Sequence, residues 1–118
     1  MKRSWIAAIS FAVVSAVPAH AGPYSDASRV QQGCDAAGQI GVEAFTARAA
    51  YPAHSDPSFL HAEADIWMVQ NNLTGQLGTT PIAKIAKKAV YYAFTRAPDA
   101  HSAYMYGWSR CMDEYGPQ

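Results

Sequence analysis

Thr80-Pro81-Ile82-Ala83-Lys84-Ile85-Ala86-Lys87-Lys88-Ala89-Val90-Tyr91-Tyr92-Ala93-Phe94 decides the fold class of this chain. Ile82, Ile85, Ala86, Ala89 and Ala93 recur at three- and four-residue steps, which places them on one stripe of an α-helix, while Lys84, Lys87, Lys88 and Tyr91 fall opposite. Thr80 suits an N-cap, and Pro81 suits the first turn, where a missing N–H goes unnoticed. Such a stripe has to be covered by other elements. No stretch of the chain alternates apolar and polar residues as a half-buried strand would, so the covering elements are helices too.

Working outward, Ala97-Pro98 interrupts this helix, and Pro98-Asp99 can start another carrying Ala100, Tyr104, Gly107, Trp108, Cys111 and Tyr115 before Gly116-Pro117 stops it. Upstream, Asp56-Pro57 repeats the cap-then-proline start. The helix it opens runs to about Asn72, with Leu60, Ala64 and Trp67 on one line flanked by Phe59, Glu63 and Ile66, and dissolves into a loop over Asn71 to Thr80. Between Ser25 and Ala50, the residues Val30, Cys34, Ala37, Gly41, Ala44 and Phe45 mark a first helix that Ser25 or Asp26 can cap. Its Gly33, Gly38 and Gly41 each cost up to about 1 kcal/mol against alanine. Either a neighbouring helix approaches closely enough to need them, or the helix breaks near Gly38.

The first 21 residues read as a secretory signal. Lys2 and Arg3 are followed by an apolar stretch from Trp5 to Val17, and Pro18-Ala19-His20-Ala21 offers the small-x-small pattern for cleavage after Ala21. That stretch is shorter than the ~20 residues a membrane span needs, and no later segment approaches that length. The expected product is a soluble, periplasmic or secreted single domain of residues 22–118. With Lys2 and Arg3 removed, seven basic residues face nine acidic ones, a net charge of −2. A nucleic-acid binder needs a clustered basic excess to replace phosphate counterions, and only Lys84, Lys87 and Lys88 cluster, as one solvated helix face.

Export bears on Cys34 and Cys111, the two cysteines of the chain. An oxidising compartment favours their pairing, and only one intramolecular pairing exists. In the chain-entropy model, closing so long a loop stabilises by up to about 4.5 kcal/mol. A bridge between the first and last helices sets them side by side and antiparallel. The expected fold is therefore all-α, a small four-helix bundle-like domain stapled by one disulfide.

Chemistry is harder to find. Gly107-Trp108-Ser109 lacks the second glycine of a nucleophile elbow, and Asp113 and Glu114 are adjacent and so point apart on a helix. No HExxH or paired-cysteine framework is present, no cofactor motif occurs, and an enzyme is not expected. The aromatic content of the second half is more informative. Tyr91 beside Tyr92, and Met105 beside Tyr106, must point in different directions. Tyr104, Trp108 and Tyr115 are expected to fill the core. Tyr91, Tyr106, Arg96 and Arg110 are the candidate interface, because aromatics and arginine are the residue types that anchor protein contacts.

Cys34 with Phe45 and Arg48 downstream, Ala93-Phe94 before Pro98, and the run from Tyr104 to Cys111 resemble small exported bacterial all-helical proteins with one cysteine in the first helix and another in an aromatic-rich last helix. The resemblance covers most of the chain after the signal. It implies a bacterial periplasmic setting and a Cys34–Cys111 bridge, and carries no activity or ligand with it. The functional expectation is an accessory, inhibitor or immunity-type factor that contacts another envelope or secreted protein. Two alternatives are a periplasmic stress chaperone and a small-ligand or metal-binding module using His54, His61 or His101.

Overall fold

The α1 helix, Ala27–Arg48, runs unbroken through Gly38 and forms the spine on which the others pack. The computed structural model describes residues 27–78 and 80–116. The export signal and its cleavage point, and the Ser25 or Asp26 cap, lie outside the described residues. Four further helices follow: α2 (Pro57–Gln70), α3 (Leu73–Leu77), α4 (Pro81–Thr95) and α5 (Ala100–Tyr115). No strand occurs among the described residues, and the all-α expectation holds. The longest contacts are α1 against α5 and α1 against α4, with α4 also packed on α5 and, along another side, on α2.

The three cap-then-helix starts form as local chemistry dictates. Asp56 accepts hydrogen bonds from the Ser58 and Phe59 amides at 3.1 and 3.2 Å. Thr80 Oγ1 accepts from the Ala83 amide at 3.2 Å, and Asp99 from the Ser102 amide at 2.8 Å. Each satisfies backbone donors that the first helical turn leaves without an intrahelical partner. At the other end of α1, the Arg48 guanidinium donates to the Tyr51 and Ala53 carbonyls, holding the turn toward α2.

Close approach explains the glycines of α1. The disulfide joins Cys34 to Cys111 with Cα atoms 5.2 Å apart, a separation ordinary for a bridge. Moving along α1 from there, Ala37 lies against Gly107, Gly38 against Tyr104, and Gly41 against Ala103, so residue numbers rise on one helix as they fall on the other. The pair is antiparallel. A Cβ on Gly107 would come within 2.7 Å of the Ala37 carbonyl oxygen, and one on Gly41 within 2.6 Å of the Ala103 carbonyl oxygen. Backbone is in contact with backbone.

That seam changes the expected role of the aromatics. The buried residues of α5 are Ala103, Gly107 and Cys111. Tyr104, Trp108 and Tyr115 are half-buried rather than core, with Trp108 and Tyr115 packed along a cluster of Val30, Cys34, Ala37, Ile82, Ile85 and Cys111. Small residues let the helices come too close for a ring to fit between them, so the rings line the seam's edges. The larger core lies between α1, α2 and α4, where Ile40, Trp67, Met68, Val90 and Phe94 meet.

The predicted loop over Asn71 to Thr80 is also corrected. Its first part is the single-turn helix α3, which buries Leu73 and Leu77 in the larger core. Asn72, with φ 52°, makes the reversal in the left-handed region that asparagine tolerates. Leu73 and Leu77, four apart, fall on one face of that turn, and their burial repays ordering it.

Candidate interaction surfaces

Tyr91 and Tyr92 leave α4 about 100° apart and so meet different neighbours. Tyr91 turns toward α2, where its ring stacks on His61 with centroids 4.1 Å apart and planes 6° from parallel. Its hydroxyl donates to the Asp65 carboxylate. That hydrogen bond, with burial, pushes the Tyr91 hydroxyl up to about 12. His61 Nδ1 stands 3.9 Å from the other Asp65 oxygen. Tyr91 and Asp65 border a cavity of about 310 Å³ that Met68, Val69 and Lys87 also line. A second cavity, about 190 Å³, lies beyond Lys87 between α3 and the start of α4, with Leu73, Leu77, Ala83 and Lys84 in its wall.

Tyr92 turns toward α5 and stacks on Tyr106, with centroids 4.3 Å apart and planes 7° from parallel. The Arg96 guanidinium lies 5.7 Å from the Tyr92 centroid, and the Arg110 guanidinium 4.4 Å from the Tyr106 centroid. Each is a cation–π contact from the residue four positions further along the chain, Arg110 within α5 and Arg96 just past the end of α4. Tyr92 and Arg110 cannot share one face of Tyr106 at such distances, so Tyr106 lies between them. Of the four expected interface residues, Tyr106, Arg96 and Arg110 stand together, and Tyr91 lies apart on the α2 side. Tyr92 completes the group. The signal was present in the chain as Tyr92-x-x-x-Arg96 and Tyr106-x-x-x-Arg110, two tyrosine–arginine pairs one helical turn apart.

A third surface lies on α2. Leu60, Ala64, Trp67 and Met68 face the core. Phe59, Ala62, Ile66 and Val69 recur at the same three- and four-residue steps on the opposite side and are exposed, Phe59 by 45%, Ile66 by 46% and Val69 by 79%. The helix is therefore apolar on both faces, unlike an ordinary surface helix with one stripe. Glu63 and Asp65 border the outer stripe. Phe59 is partly held by an edge-on contact with Tyr51, whose hydroxyl donates to Glu63 at 2.7 Å.

The remaining chemistry-bearing residues do not converge. His54 lies in the turn before α2, His61 on α2 and His101 in the first turn of α5, all exposed. No group of three or more His, Cys, Asp or Glu among the described residues is placed to hold a metal ion. Ser109 donates its hydroxyl to the Met105 carbonyl at 2.6 Å, and Asp113 and Glu114 are exposed. Among the described residues, no helix is long and apolar enough to cross a membrane. Comparison with protein-family models, curated proteins and solved structures finds no match to this chain.

Proposed function

We propose that this chain is an exported, periplasmic or secreted domain without enzymatic activity, whose task is to bind another protein of the envelope or outside the cell. The outer stripe of α2 carries the reading. Phe59, Ile66 and Val69 are large apolar side chains on one line of a helix whose other face already serves the core. An apolar line left largely outside the monomer's interior costs solubility and is retained where a partner covers it. Export is supported by the residues that begin the chain and by a disulfide between buried cysteines, a bond characteristic of oxidising compartments.

The test is capture of partners from the native envelope extract with the mature, oxidised protein, set against the Ile66→Glu/Val69→Glu variant. Both positions are exposed, so the variant keeps its fold and its thermal midpoint. A stoichiometric partner held by the wild type and released by the variant is the expected result. Capture that survives the double substitution, or the absence of any partner with both proteins folded, defeats the reading.

A further inference from the structure

We infer that the tyrosine–arginine stack between α4 and α5 is a second docking face, and that it takes an extended acidic segment of a partner protein. It is independent of the α2 stripe, since α2 and α5 pack on different sides of α4.

Three observations carry it. Arg96 and Arg110 are exposed, and among the described residues neither guanidinium has a carboxylate within ion-pair distance. Asp113, three residues past Arg110, leaves it unpaired, and the Asp99 carboxylate is engaged by the Ser102 amide. Both guanidiniums are nevertheless positioned, because each rests on a ring of the Tyr92–Tyr106 pair. Holding an arginine side chain in place removes much of the rotamer entropy that forming a surface ion pair otherwise costs. Finally, Lys88 lies one turn before Tyr92 on α4, which adds an exposed cation to the same face.

Positioned, unpaired forks suit carboxylates, which they bind through two parallel N–H donors. The guanidiniums are no further apart than the steps of 5.7, 4.3 and 4.4 Å laid end to end. An extended peptide advances about 3.3 Å per residue, so carboxylates two or four residues apart on one side of it fall at about 7 or 13 Å, within that limit. The stacked tyrosine pair between them offers its ring edges to the intervening backbone. Tyrosine and arginine at the centre of a contact are also the residues that dominate binding energy when truncated.

The experiment titrates the mature, oxidised protein, labelled for amide NMR, with a decapeptide of alternating glycine and glutamate, and in parallel with its glycine–lysine counterpart. Saturable shifts centred on Tyr92, Arg96, Tyr106 and Arg110 are expected for the acidic peptide alone, weakening as salt is raised. Arg96→Ala/Arg110→Ala should bind at least about tenfold more weakly, and Arg96→Lys/Arg110→Lys should also lose affinity, since lysine keeps the charge but not the fork or the stack. Lys84→Ala/Lys87→Ala should bind as the wild type does. The inference fails if no saturable shift occurs, if the lysine peptide binds equally, if shifts centre on Lys84 and Lys87, or if either arginine variant binds unchanged.

Discussion

Replacing Gly107 with alanine should destabilise this protein, although the helix itself would gain. Alanine in a helix interior is favoured over glycine by up to about 1 kcal/mol. Against that stands the geometry of the seam. The new Cβ would lie 2.7 Å from the Ala37 carbonyl oxygen, 2.9 Å from its carbonyl carbon and 3.2 Å from the Gly38 nitrogen, where ordinary contact begins at 3.4 Å. All three atoms are backbone, so no rotamer change relieves the clash and the helices themselves must part. The Cys34–Cys111 bridge lies one turn away and resists that movement, and the Gly41–Ala103 contact on the other side would open if it occurred. Overpacking of this kind costs about 1–3 kcal/mol, and more where backbone must move, which outweighs the propensity gain. We expect a net loss of about 1–2 kcal/mol. For a domain of this size that lowers the thermal midpoint by roughly 4–16 °C. Denaturant unfolding of the oxidised protein, followed by circular dichroism, measures it, with Ala62→Gly on the exposed side of α2 as a calibration of propensity alone. A Gly107→Ala variant as stable as the wild type or more so would refute the argument, because only propensity would then be acting.

Two further outcomes follow from the same geometry. Cys34→Ala/Cys111→Ala, or reduction of the wild type, should remove up to about 4.5 kcal/mol, a large part of the ~5–15 kcal/mol that holds a small domain folded; coincident unfolding midpoints with and without reductant would contradict it. Alkaline pH should unfold the protein in part through its buried-edge tyrosines, because Asp65 holds the Tyr91 hydroxyl up at about 12, while burial and Asp35 raise that of Tyr104 to about 12, against 10.0 for a free phenol. The folded state keeps protons that the unfolded chain gives up, so this contribution is complete below pH 10 and fades as pH rises through 12. Tyrosinate absorbance with denaturant midpoints checks it, and a Tyr91→Phe/Tyr104→Phe variant with an unaltered alkaline profile would contradict it.

Local chemistry determined much of this protein from its residues alone. Asp56-Pro57, Thr80-Pro81 and Pro98-Asp99 announce helix starts because a side-chain oxygen can reach the first free amides of the helix it begins. The stripe from Ile82 to Ala93 dictates which side of α4 is covered. With two cysteines in the chain, pairing required no knowledge of the fold, and it places the first and last helices together.

Tertiary structure decided the rest, since it depends on distances between residues far apart in sequence. Gly38 is compatible with a break or with a close neighbour, and the approach of Tyr104, 66 positions later, selects the latter. Leu73 and Leu77 are helical because a core cavity receives them, which propensity over five residues cannot reveal. Tyr104, Trp108 and Tyr115 look like core residues by type, yet the small side chains beside them draw the helices too near to admit a ring. Likewise, Tyr92-x-x-x-Arg96 and Tyr106-x-x-x-Arg110 are each legible within one helix, whereas the stacking that unites them exists because α4 and α5 pack with those two turns in register. A periodic pattern records which face a side chain occupies; the partner that meets it is a property of the assembled helices.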